Sequence, residues 1–406
     1  MILPGSVRLC LLGAAMLASS RSNAGVWGMQ PTIGVIGDYN TNAALINVPN
    51  TAEVGAALLL DAPTVYTADA FSFTVLPSFR ISNAQGYSTV DSDYSHMNVK
   101  SEWDSERSTF TASAGVARDS SLYYQYTLNG PGGVERNSLL GDVAWQRYLS
   151  ERVELSADLN SQHVRYGEAA GAPTLTDYKY TSFTPTVAWT NSERDKLTAS
   201  VNFGLYNSIP GTTQSKSASL QFGYTHQLQE LWSWSATGGY SRALNRVDYS
   251  VVEIVDTDAG PAFAIVPVRL ESTQNSTVFL GTVTRQGARL TLSATASRNL
   301  VPTGLAYLST QESLAFNASF AFSPRWSLTS SVAETKIQNP AQQQGAPDYS
   351  ARVTVVTLQT SWQWTEHWTV TASAGYVLND VTSSNVNVSN NSVSLQLSRQ
   401  FNRIAF

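Results

Sequence analysis

The chain has 406 residues, 25 basic against 30 acidic side chains, and one cysteine, Cys10. Charged residues make up 14%, far below the ~25% of typical soluble domains, and no basic patch points to nucleic acid. One cysteine excludes internal disulfides and thiolate metal sites, and beyond the N-terminus no segment reaches the ~18 apolar residues of a membrane-spanning helix.

Residues 1–24 read as a secretory signal peptide. Arg8 gives the positive start, "LCLLGAAMLA" (Leu9 to Ala18) the short apolar run, and "SNA" the small-residue cleavage site ending at Ala24. This leader holds two arginines, Arg8 and Arg21, and no acid, which leaves residues 25–406 with 23 basic and 30 acidic side chains, a net charge of −7. No linker or shift in composition divides residues 25–406, so they form one domain.

Strict apolar–polar alternation, the signature of a half-buried strand, then recurs to the C-terminus. In "FSFTVLPSFRIS" (Phe71 to Ser82), Phe71, Phe73, Val75, Phe79 and Ile81 share a face; in "LTASVNFGLY" (Leu197 to Tyr206), Leu197, Ala199, Val201, Phe203 and Leu205 do. The pattern predicts strands near 28–40, 54–66, 70–83, 91–103, 108–119, 137–148, 153–166, 177–190, 196–206, 215–227, 232–245, 273–284, 289–301, 309–322, 326–337, 351–364, 368–380 and 390–402, the second being the weakest. Short connections such as "DSER" (Asp104 to Arg107), "NSERD" (Asn191 to Asp195) and "SPR" (Ser323 to Arg325) take turns with long ones. The long ones include 119–137, 167–177, 207–214, 245–272 and 338–350. This is a meander of hairpins with short turns on one rim and long loops on the other.

Such a meander can hide its apolar face in a protein core or in lipid, and three features favour lipid. The polar face is mostly uncharged: Ser219, Gln221 and Gly223 on one strand, Thr357, Gln359, Ser361 and Gln363 on another, where a soluble surface favours Lys and Glu. Trp103, Trp145, Trp189, Trp232, Trp234, Trp326, Trp362, Trp364 and Trp368 all lie within about five residues of a short turn, as indoles do in the headgroup girdle of a transmembrane barrel. The chain ends on Phe406, which resembles the terminal aromatic signal read by the barrel-assembly machinery. In that tail Val393, Leu395, Leu397 and Phe401 share one parity and Ile404 and Phe406 the other, so a break near Asn402 is expected. The fold class is therefore all-β, a transmembrane antiparallel up-and-down β-barrel of about 18 strands, with 16 as the alternative.

Four segments, "LPSFRIS" (Leu76 to Ser82), "SDYSHMNVKSEWDSERSTFTASAGVARDSSL" (Ser92 to Leu122), "SRNLVPTGLAYLSTQESLAF" (Ser297 to Phe316) and "SPRWSLTSSV" (Ser323 to Val332), carry a resemblance. The chain is similar to the β-barrel porins often encoded with exopolysaccharide biosynthesis and export genes in Gram-negative bacteria. The resemblance runs over most of residues 25–406. It implies an outer-membrane barrel that passes polysaccharide with a periplasmic polysaccharide export protein as partner. It transfers no residue with an assigned chemical role.

By parity Arg80, Lys100, Glu102, Glu154, Asp158, Asn202 and Arg289 point into the lumen, with Arg152 and Lys196 near the short-turn rim. Arg118, Arg147, Arg298 and Arg399 point outward near strand ends, where the cost of a charge in lipid falls to about 0–1 kcal/mol. None of His96, His163, His226 and His367 makes a metal-ligand spacing with another, and no cofactor is expected. The loop 245–272 holds two β-rich runs, "YSVVEIV" and "AFAIVPVRL", and fits either a hairpin above the rim or a constriction folded into the bore. Three readings follow: a passive conduit, most consistent with exopolysaccharide export; a surface structural or binding barrel with a blocked lumen; and a barrel hydrolase, for which no catalytic set stands out. Lipid, the assembly machinery, the export protein and a polysaccharide cargo are the expected partners, and nucleic acid is not.

Overall fold

The computed structural model describes residues 25–43, 45, 52–86, 93–120, 134–167, 175–209, 211–257, 260–304, 308–338, 350–381 and 386–406. The signal-peptide reading of residues 1–24 lies outside them. In chain order the strands are β1 (Val26–Met29), β2 (Thr32–Asn40), β3 (Glu53–Asp61), β4 (Thr64–Ala68), β5 (Phe71–Gly86), β6 (Tyr94–Asp104) and β7 (Ser108–Ser120). There follow β8 (Glu135–Tyr148), β9 (Val153–Tyr166), β10 (Asp177–Ser192), β11 (Asp195–Ile209), β12 (Thr213–Gln227), β13 (Trp232–Thr257) and β14 (Gly260–Gln286). The last are β15 (Leu290–Pro302), β16 (Leu308–Ser323), β17 (Trp326–Gln338), β18 (Ser350–Gln363), β19 (Trp368–Val381), β20 (Val386–Gln400) and β21 (Ile404–Ala405).

Six of these are halves of three staves. β1 with β2, β3 with β4, and β20 with β21 each continue one line of the wall across a short break, so the 21 segments make 18 staves. Proline explains two of the breaks. Pro31 and Pro63 have no N–H for the ladder, and a local chain of bonds replaces it: Gln30 N–H to the Pro63 carbonyl at 3.1 Å, Ala62 N–H to Pro77 at 3.3 Å, and Phe401 N–H to Pro31 at 2.9 Å. The third break, residues 401–403, is the one the parity of the C-terminal tail demanded.

The first stave closes on the last. β2 pairs with β20 from Thr32↔Gln400 to Asn40↔Ser392, and β1 with β21 at Gly28↔Ala405 and Met29↔Ile404. All pairings are antiparallel between neighbours, which defines a closed 18-strand up-and-down barrel. Two expected long loops are shorter than the sequence suggested. Residues 207–214 turn within 210–212, where Gly211 takes a φ of 97°. Most of 245–272 is strand, because its two β-branched runs pair with each other, Val252↔Ile265 and Ile254↔Phe263 among them.

Closure sorts the side chains. On a cylinder the outward residues splay and the inward ones crowd. Phe203, Leu220, Phe222, Leu314 and Leu395 are exposed on one parity, while Tyr206, Ser215 and Ser219 on the other are buried. The outward set forms a continuous apolar belt far larger than the patches a soluble monomer exposes. From Trp189 to Lys179 on β10 the belt is about 26 Å tall, taking ~3.4 Å per residue and a ~40° tilt, which matches the ~25 Å apolar band of outer-membrane barrels.

Two adjacent glycines test the wall. A Cβ on Gly239 would stand 2.1 Å from the Leu220 carbonyl oxygen, whereas one on Gly238 meets nothing within 4 Å. Gly239→Ala is expected to cost about 1–3 kcal/mol in urea unfolding of the detergent-folded barrel, and Gly238→Ala to stay within ~0.5 kcal/mol of the parent.

Candidate functional site: the lumen and an inward-turned tip

The lumen is built from the polar parity of every stave. Asn202 donates to Thr184 Oγ1 at 2.7 Å, Gln221 to Ser219 Oγ at 3.2 Å, and the Ser373 and Ser394 hydroxyls lie 2.6 Å apart. Hydroxyls and amides thus bond to one another across strands and keep spare donors and acceptors for water or cargo.

Four pairs of opposite charge stand on this face, and one pair of acids, Asp142 and Asp158, stands apart from them. Arg80 on β5 meets Asp38 on β2 at 3.5 Å, Lys100 meets Glu102 at 2.7 Å within β6, and Lys196 on β11 meets Glu154 on β9 at 2.8 Å. Asp158 sits opposite Ala144 on β8, one diagonal step from Asp142. Arg289 lies in the exposed turn 287–289 ahead of β15, where strand parity assigns no face. A further pair escaped the sequence reading: Arg136 on β8 forks onto Asp119 on β7 at 2.8 and 3.0 Å, with His96 Nε2 at 3.7 Å from the same carboxylate. Both partners are buried. The signal is the even parity of β8 and the run Thr111, Ser113, Gly115, Ala117, Asp119 on β7; Asp119 closes the expected strand 108–119, and Arg136 falls in the expected connection 119–137.

The tryptophans occupy one rim. Trp103 ends β6, Trp145 and Trp189 lie late in β8 and β10, Trp232 and Trp234 open β13, Trp326 opens β17, and Trp362, Trp364 and Trp368 flank the turn between β18 and β19. The tenth indole, Trp27 on β1, belongs with them although no short turn announced it. Phe406 stacks on it with centroids 6.3 Å apart and an interplanar angle of 3°, so the C-terminal aromatic is part of the closure seam.

At the opposite rim the wall divides. The β14–β15 ladder runs only from Gln286↔Thr291 to Phe279↔Arg298, while β15 and β16 stay paired out to Pro302↔Leu308. Beyond the division the end of the β15–β16 hairpin, here residues 299–304 and 308–310, forms a tip that turns inward. By alternation Leu300 and Leu308 belong to the lipid-facing set with Leu314 and Phe316. Yet Leu308 is 1% exposed and packs in one cluster with the inward residues Val164, Tyr178, Tyr206 and Ala243, and Leu300 lies against that cluster. Polar bonds hold the tip: Tyr206 donates to the Thr303 carbonyl at 3.1 Å, Thr176 N–H to Gly304 at 2.7 Å, and Gln274 to Thr310 Oγ1 at 3.1 Å. Tyr178 and Tyr206, stacked at 5.4 Å, are its floor. The tip therefore lies inside the staves β9 to β14 and narrows the bore at the loop rim. The 245–272 segment does not fill this place. Its hairpin β13–β14 exposes Val252, Ile254, Phe263 and Ile265, the last two by 80% and 75%.

A closed, even-stranded antiparallel barrel with an apolar belt, an aromatic rim and a polar lumen is a transmembrane β-barrel of the bacterial outer-membrane class. No protein-family model matches the chain, and no curated protein sequence does. Among solved structures the chain is similar to OccK7 (OpdD) of Pseudomonas aeruginosa, with 11% identity, a TM-score of 0.47, and 93% of this chain and 99% of that one covered. It is similar to OccAB2 of Acinetobacter baumannii at 10% identity and a TM-score of 0.46, over 92% and 98% of the two chains. It is similar also to the ferric citrate transporter FecA in the unliganded form at 9% and 0.47, over 94% and 79%. At this distance the class assignment rests on the chain's own topology and surface.

The buried fork offers a stability test. Arg136→Met leaves the Asp119 charge without its partner and is expected to cost about 3–5 kcal/mol. Asp119→Leu with Arg136→Met is expected to recover most of that loss, both read from urea midpoints of the folded barrel.

Proposed function

We propose that this barrel is a passive conduit for hydrophilic solutes of little net charge, throttled at its loop rim by the inward β15–β16 tip. The observation that carries the reading is the pairing of lumen charges. Asp38 with Arg80, Lys100 with Glu102, Glu154 with Lys196 and Asp119 with Arg136 leave dipoles along the bore. Between them lies a lining of hydroxyls and amides that can exchange hydrogen bonds with a passing hydroxyl-rich molecule and holds none by charge. Exopolysaccharide is the cargo to which the sequence resemblance points, with a periplasmic export protein as its partner, and the polar uncharged lining suits such a chain. Terminal Phe406 serves the assembly machinery in this reading.

A second reading, a surface barrel with a blocked lumen, is favoured by the tip itself and by the exposed apolar face of the β13–β14 hairpin. Planar-bilayer recording separates the two. The conduit reading expects small open steps from the native barrel and steps several-fold larger from Leu300→Ser with Leu308→Ser, since fully buried Leu308 contributes roughly 1.5–3 kcal/mol to holding the tip and half-buried Leu300 a smaller share. Silence from both proteins would favour the blocked barrel. For the cargo, deletion of the gene is expected to remove extracellular glycan while synthesis continues; unchanged secretion would sink the polysaccharide assignment.

A further inference from the structure

Outward charges at the loop-rim edge of the apolar belt fall into two arcs. In one, the cations are neutralised by acids: Arg118 by Glu135 at 2.9 Å, Arg298 by Glu312 at 3.5 Å and Arg352 by Glu334 at 3.5 Å. On the β13–β14 hairpin above the rim, Arg246 and Arg269 share Asp248 at 3.0 and 2.9 Å, and the two guanidinium groups hold its carboxyl below the usual range.

The other arc spans β9 to β13 and is different. Arg165 on β9, Lys179 on β10, Lys216 on β12 and Arg242 on β13 are all exposed. Among the described residues none of the four has an acid within salt-bridge distance. Parity puts each on the lipid side, with Leu159, Phe183, Leu220 and Tyr240 below them on the same faces. Lys179 is the direct cross-strand partner of His163, and Arg165 donates to His163 Nε2 at 3.4 Å. Arg242 lies one diagonal step from Lys216. Two acids lie nearby: Asp177 is engaged by the Tyr166 backbone N–H at 2.8 Å, and Glu135, a diagonal step from Arg165, is engaged by Arg118 at 2.9 Å. Arg165 and Lys179, like Lys216 and Arg242, are like charges one diagonal step apart on neighbouring strands, an arrangement that an anion relieves. Four strand spacings of ~4.8 Å give the arc a width of about 19 Å. Its height, one belt above the tryptophan rim, is that of the far headgroup layer.

We propose that the outer face of β9–β13 is a binding site for a phosphorylated glycolipid of the surrounding leaflet, its phosphates received by Arg165, Lys179, Lys216 and Arg242. Arginine suits phosphate by its forked donors and lysine by its point charge, and basic side chains at a membrane edge gather anionic headgroups. The acyl chains then lie on the apolar face immediately below, over Phe183, Phe203 and Leu220. The bore takes no part in this site.

The test uses the detergent-folded native barrel and bisphosphorylated lipid A, with binding read by native mass spectrometry. Saturable binding is expected, at least tenfold weaker for lipid A stripped of its phosphates, and not displaced by inorganic phosphate at the same concentration. Equal binding of the stripped lipid would overturn the proposal, and displacement by inorganic phosphate would show a free-anion site instead. Lys179→Gln with Lys216→Gln and Arg242→Gln, checked for folding by heat-modifiable gel migration, is expected to lose at least tenfold in affinity. Arg118→Gln with Arg352→Gln, in the neutralised arc, is expected to lose less than twofold; equal losses in the two variants would refute the location.

Discussion

Everything in this molecule follows from the backbone hydrogen bonds between its first and last staves. In hydrocarbon an amide without a partner costs several kcal/mol, so a sheet can enter lipid only if it has no edge. β2 on β20 and β1 on β21 remove that edge. The stacking of Phe406 on Trp27 clamps the place where the chain ends meet. Once the ring is shut, alternation decides which side chains meet lipid and which meet water wherever a strand stays in the wall. No apolar core is needed, and there is hardly one: the largest fully buried side chains belong to a single cluster at the loop rim.

That cluster shows what closure permits. Between Phe279 and Arg298 the wall stops being continuous, and the hairpin beyond it satisfies its backbone within itself, β15 on β16. It can leave the cylinder because its bonds go with it. Having left, it turns an apolar face meant for lipid onto the inward tyrosines of β10 and β11. The narrowing of the bore is thus made, among the described residues, by ordinary wall strands.

Most of the barrel was legible in the sequence. Period-two alternation gave the staves, the turn series gave the two rims, and the parity slip between Phe401 and Ile404 gave the break before β21. What alternation cannot tell is which environment a face meets. Leu300 and Leu308 obey the same rule as Leu314 and Phe316, yet the first two are inside the wall, because departure of the tip depends on a ladder ending that no local pattern marks. The buried Asp119–Arg136 fork was hidden for a related reason: charges at strand ends look like loop. Trp27 was overlooked because its rim is marked by the chain terminus rather than a turn.

Charge follows the same division. Within the bore, four pairs of opposite charge meet at 2.7–3.5 Å, and Asp142 and Asp158 stand as like charges a diagonal step apart. On the outside, one arc of the collar is neutralised and one is left basic. A bore lined this way asks little of its cargo beyond polarity, whereas the outer surface distinguishes sides of the barrel.

The sidedness of β11 is the claim on which all of this stands, and it can be read directly. Residues 25–406 hold no native thiol, so single cysteines are placed in turn from Thr198 to Phe203 and the barrel is reconstituted in liposomes. A membrane-impermeant maleimide is expected to label positions 198, 200 and 202 and to spare 199, 201 and 203. Uniform labelling, or the reverse alternation, would contradict a wet lumen behind a lipid-facing wall.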